Sequence, residues 1–65
     1  MDTKKIEEKL KTGFYYDLNL YKITNKQIYL TCVEFTLKEI LKKGYSELYK
    51  KLVNELEIVK TFKLQ

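Results

Sequence analysis

The sequence contains no histidine, arginine, tryptophan or proline, a single cysteine (Cys32) and only two glycines (Gly13 and Gly44). Each shortage excludes something. Without histidine there is no Ser-His-Asp or Cys-His arrangement, no imidazole to move protons near neutral pH, and none of the commonest ligand for zinc and copper. One cysteine cannot close an internal disulfide, and Cys32 sits in an apolar run, so it reads as a buried structural thiol and not as an activated nucleophile. Two isolated glycines leave no glycine-rich loop to cradle a phosphate. The absence of arginine removes the side chain best suited to bidentate reading of guanine, although lysine can still hold phosphates as a point charge. No run of 18 or more apolar residues is present, which argues against a membrane-spanning helix. Residues Met1 to Lys9 carry charge where a signal peptide needs its apolar stretch. One unpaired thiol and no export signal lead to the expectation of a cytoplasm, or a host cytoplasm for a virus- or plasmid-borne protein.

Carboxylates are the remaining route to hydrolytic chemistry. Glu34 and Glu39 are five residues apart, Glu55 and Glu57 two apart, so neither pair shares a helix face. Glu7 and Glu8 lie on a weakly amphipathic stretch. No EF-hand spacing is present. The expectation is therefore a protein that is not an enzyme, with no cofactor and no metal.

What remains is one domain, residues 1–65. A chain this short buries only about 60% of its unfolded surface, so self-association or docking would add to its stability. At 45% hydrophobic and 34% charged residues the composition is that of a folded domain. Its net charge of +4 is spread along the chain, with +1 in residues 1–13, none in 14–24, +2 in 25–43 and +1 in 44–65.

The pattern predicts an α+β fold, mainly helical. Asp2 or Thr3 would cap an N-terminal helix of about ten residues presenting Ile6 and Leu10, ended by Gly13. Phe14, Tyr16, Leu18 and Leu20 alternate with Tyr15, Asp17, Asn19 and Tyr21, the period of a half-buried β-strand over about 14–22. Thr24-Asn25-Lys26-Gln27 matches a capping box opening a long central helix, about 25–43. Tyr29, Val33, Leu37, Ile40 and Leu41 form one stripe of that helix and Ile28, Cys32 and Phe35 a second, implying burial from two sides. After Gly44, Ser46 would cap a C-terminal helix, about 46–59, built on Leu48, Leu52, Leu56 and Val59, with a short terminal strand as one option for 58–65. The alternatives are a small all-α bundle, or a β-hairpin plus two helices.

Leu30-Thr31-Cys32-Val33-Glu34-Phe35, followed by Leu37, Leu41 and Gly44, resembles the opening helix of some winged-helix and helix-turn-helix regulators over about fifteen residues. The order strand, helix, Gly44-Tyr45-Ser46 turn, helix is similar to ribbon-helix-helix repressors. That resemblance implies a dimer whose outward strand residues, Tyr15, Asp17, Asn19 and Tyr21, enter the major groove. Asp17 among phosphates, the preceding helix and the missing arginines depart from the pattern.

The same four residues suggest a protein-binding face, because two tyrosines among short polar groups suit an interface. Lys42, Lys43, Lys50 and Lys51 bracket Gly44 and form a basic corner for phosphate or an acidic surface. The leading expectation is a small intracellular adaptor or inhibitor that binds another protein. A phage- or mobile-element-type blocker of a host factor would suit this size and composition. The alternative is a small homodimeric DNA-binding regulator. No membrane partner is expected.

Overall fold

In the computed structural model, which describes the backbone of residues 3–64 and the side chains of residues 4–62, the chain forms three helices. They are α1 (Thr3–Thr24), α2 (Gln27–Lys42) and α3 (Ser46–Leu64). No strand occurs among the described residues, so the expected α+β fold is replaced by an all-α bundle. The capping role read for Asp2 or Thr3 falls outside the described side chains.

The β-strand expected over 14–22 is the C-terminal half of α1. Leu10, Phe14, Leu18 and Tyr21 recur at steps of four, four and three, and this line faces the core. The alternation of Phe14, Tyr16, Leu18 and Leu20 satisfied the two-residue period only because the stretch is rich in apolar and aromatic residues. A lone strand would also leave its backbone donors and acceptors unpaired, whereas a helix satisfies them within the segment. Gly13 consequently lies inside α1 and ends nothing.

Asn25, with φ 58°, takes the left-handed position past α1 that had been expected of Gly13. Its N–H donates to the Tyr21 carbonyl at 2.8 Å. Thr24, expected to cap the central helix, instead finishes α1. Its hydroxyl donates to the Leu20 carbonyl at 2.7 Å and accepts the Lys26 N–H at 3.3 Å. The N-cap of α2 is Lys26, whose side chain makes no capping bond.

Gly44 behaves as its position predicts. At φ 86° it follows α2, its N–H donating to the Leu41 carbonyl at 3.0 Å and the Tyr45 N–H to the Ile40 carbonyl at 3.2 Å. This pair of bonds is a Schellman motif, and Tyr45 and Ile40 both belong to the packed interior, as that motif favours. Ser46 is the first residue of α3; the preceding Tyr45 carbonyl accepts the Tyr49 N–H at 2.9 Å and so occupies the cap position expected of Ser46. The terminal strand considered for 58–65 is absent from the described part, because α3 continues to Leu64; Gln65 lies outside it.

One core joins the three helices. Phe14 and Leu18 enter from α1, Leu30, Val33, Leu37 and Ile40 from α2, and Leu48, Leu52 and Leu56 from α3. Phe14, Val33, Ile40 and Leu52 have no exposed surface at all. α1 and α2 form the most extensive pair and α3 lies along them, with Glu34 of α2 3.8 Å from Lys60 of α3. Lys22, near the end of α1, shares a groove with Val59 and Phe62, near the end of α3, which gives an up-down-up course. The bundle measures 41 × 18 × 14 Å, with a radius of gyration of 11.9 Å. A compact chain of this length would have about 11 Å.

The two glycines make opposite predictions. A Cβ at Gly13 would meet nothing within 4 Å, so Gly13→Ala should stabilise the protein. The expected gain is about 0.5–1 kcal/mol, or several degrees in Tm for a domain of this size. Gly44 has equal space but a positive φ, so Gly44→Ala should destabilise by about 1 kcal/mol. Thermal unfolding followed by circular dichroism checks both signs.

Candidate functional site

Helical geometry dissolves the face on which Tyr15, Asp17, Asn19 and Tyr21 were expected to stand together. At about 100° per residue, Tyr15 and Tyr21 are about 120° apart around α1, and Asp17 and Asn19 about 160° apart. Tyr15 and Tyr21 pack against the core, Asp17 is half-buried and Asn19 is exposed. The ring of Tyr15 meets that of Phe14 edge-on, with centroids 5.5 Å apart. Both tyrosines therefore serve first as packing residues.

Lys42, Lys43, Lys50 and Lys51 are all exposed, and the Gly44 turn holds them at one end of the bundle. The up-down-up course adds the first half of α1 to that end. The result is nine lysines, Lys4, Lys5, Lys9 and Lys11 on α1, Lys38, Lys42 and Lys43 at the end of α2, and Lys50 and Lys51 on α3. Glu7, Glu8, Glu39 and Glu47 oppose them, leaving a net charge of +5 there among the described side chains. Toward the Asn25 turn, Lys22, Lys26 and Lys60 stand against Asp17, Glu34, Glu55 and Glu57, a net charge of −1 among the described side chains. Charge spread evenly along the sequence is thus separated along the long axis.

Exposed apolar residues show the opposite bias. Ile23, Ile28, Ile58 and Phe62 all lie in the half that carries the Asn25 turn, with Tyr16 and Phe35 near mid-height and Leu41 at the basic end. Two surfaces result. The first is an open groove of about 510 Å³ between the C-terminal parts of α1 and α3, lined by Lys22, Ile58, Val59 and Phe62. Phe62 is 76% exposed and Ile58 52% exposed. The second is the outer face of α2, where Ile28, Cys32 and Phe35 are exposed and not, as their stripe implied, buried from a second side. Three helices supply α2 with neighbours on one side only. Cys32 is accordingly a surface thiol and not the buried one expected.

Ile58 and Phe62 were not singled out by sequence reasoning. The available signal was their four-residue spacing, about 80–120° around α3 from the line of Leu48, Leu52 and Leu56. No group of three or more His, Cys, Asp or Glu side chains suited to a metal ion occurs among the described residues, and no described helix is long and apolar enough to cross a membrane. The ribbon-helix-helix resemblance loses its strand, and with it the means by which Tyr15, Asp17, Asn19 and Tyr21 would have entered a DNA groove.

Comparison with known proteins adds no relative: no family model, no curated protein and no solved structure matches this chain.

The packing role of the tyrosines is testable. Tyr21→Ala should cost about 1–3 kcal/mol of stability, the range for a substitution that removes partly buried packing. Asn19→Ala, on the exposed side, should stay within about 0.5 kcal/mol of the parent. Chemical denaturation of the two variants measures the contrast.

Proposed function

We propose that this chain is a non-enzymatic binding module whose partner is another protein, held in the groove between the C-terminal parts of α1 and α3. The observation that carries the reading is the exposure of Ile58 and Phe62 on the wall of that groove. A large aromatic side chain left in water is unfavourable and is the type of residue that anchors interfaces once covered. The partner chemistry that fits is an apolar side chain inserted beside Ile58 and Phe62. An adaptor or inhibitor working in a reducing compartment such as the cytoplasm fits an exposed Cys32 that has no cysteine partner in the chain.

A second reading, nucleic-acid binding, is favoured by the net charge of +5 among the described side chains at the Gly44 end. Lys42, Lys43, Lys50 and Lys51 would meet phosphates as point charges, without base reading.

The two readings part in two measurements. Phe62→Ser, at an exposed position, should leave helicity intact and weaken a captured protein complex by tenfold or more; an unchanged complex would eliminate the groove. If the lysine-rich end holds DNA, binding to a random duplex should fall steeply with added salt, and Lys42→Gln with Lys50→Gln should flatten that dependence. No mobility shift at about 50 mM salt would eliminate the nucleic-acid reading.

A further inference from the structure

The lysine-rich end of the bundle presents charge with almost nothing apolar beside it. Of its nine lysines all but Lys11 are exposed, whereas of its four glutamates only Glu8 and Glu47 are. The fully exposed side chains there thus carry eight positive charges against two negative ones, a net +6 among the described residues. Leu41, 52% exposed, is the one large apolar side chain in the open at this end among the described residues. Tyr45 and Tyr49 are also there, but both are half-buried and pack against the core.

We propose that this end holds the paired phosphate backbone of a nucleic-acid duplex, without regard to sequence. The inference rests on the second reading above and narrows it from nucleic acid in general to double strands. Three observations carry it.

The first is charge without an anchor. Protein interfaces centre on aromatic and arginine side chains, and lysine is depleted from them. A membrane surface holds a helix through apolar side chains sunk below the headgroups as well as through charge. Leu41 is all that this end offers to either. Lysines by themselves gain most against a polyelectrolyte, because each phosphate they neutralise releases a condensed counterion.

The second separates double strands from single ones. Single-stranded nucleic acid is held by stacking its bases on exposed aromatic rings. Here Tyr45 and Tyr49 are committed to the core, and the exposed rings of Tyr16, Phe35 and Phe62 lie at mid-height or at the opposite end. A duplex keeps its bases stacked on one another and needs no such platform. It also carries the higher charge density, and with no arginine in the chain its base edges go unread.

The third is size. The bundle is 18 Å across its wider short axis. Duplex DNA has one charge per ~1.7 Å, so about ten phosphates pass that width and about half of them face the protein. Eight exposed lysines suffice for that number.

Binding of the full chain to a labelled random duplex of about 20 bp should fall several hundredfold between about 50 and 200 mM salt, as about five neutralised phosphates require. Fluorescence anisotropy measures it. One strand of the same sequence should bind at least tenfold more weakly at about 50 mM salt. Lys42→Gln with Lys50→Gln should lower the log–log salt slope by about two, whereas Lys26→Gln, exposed at the opposite end, should leave it unchanged. Duplex DNA and duplex RNA titrated in parallel tell which of them supplies the phosphates. Absence of binding to duplex and single strand alike at about 50 mM salt removes the second reading and this inference with it. A single strand bound as tightly as the duplex leaves that reading standing and overturns the choice of duplex. Tighter binding to mixed phosphatidylcholine–phosphatidylserine vesicles than to the duplex assigns the lysines to a membrane and overturns it also. A slope reduced as much by Lys26→Gln as by the paired variant would show that the lysine-rich end is not the site.

Discussion

Burial of Phe14, Val33, Ile40 and Leu52 in one place is the constraint on which the molecule rests. They come from all three helices and are the largest side chains wholly withdrawn from water. Each large aliphatic or aromatic group contributes roughly 1.5–3 kcal/mol when fully buried, against a conformational entropy of similar total size. A domain this small therefore has little stability to spare. The two turns are subordinate to this requirement. Asn25 and Gly44 adopt positive φ so that successive helices reverse and bring their stripes together.

The same constraint explains what stays outside. Three helices around one core give each helix two neighbours, so only one side of each can be covered. α2 has apolar residues on both sides: Leu30, Val33, Leu37 and Ile40 take the core, while Ile28, Cys32 and Phe35 face water, as does Leu41, which had been read as part of the inner stripe. α3 continues past Leu56, leaving Ile58 and Phe62 on the rim of the groove beside α1. Lysines collect at the other end because the up-down-up course places the start of α1, the end of α2 and the start of α3 side by side. Apolar surface and positive charge are thereby separated along a body 41 Å long.

Legibility in the sequence followed the strength of local signals. Leu48, Leu52 and Leu56 stand four residues apart and could only be helical, and Gly44 could only be a turn of positive φ. The stretch Phe14 to Tyr21 was ambiguous because apolar residues occupy most of its positions, so that periods of two and of nearly four both fit. The four-residue line Leu10, Phe14, Leu18 was present, but Gly13 concealed it by suggesting that the helix had already ended. The candidate site followed the error. Tyr15, Asp17, Asn19 and Tyr21 form a face only on a strand, whereas on α1 two of them point inward and the rest diverge.

By itself the sequence determined the helix built on Leu48, Leu52 and Leu56, the turn at Gly44 and the absence of imidazole side chains, and it favoured a central helix while leaving a hairpin before it and a strand over 58–65 as alternatives. These depend on residue type and on spacings of three and four, which are local quantities. Tertiary structure alone decided that α1 runs unbroken through Gly13, that one stripe of α2 is buried and the other left in water, and that lysines distant in the chain share one end. Each of these depends on how many neighbours a helix finds, and that number is fixed only when all three helices compete for the same core.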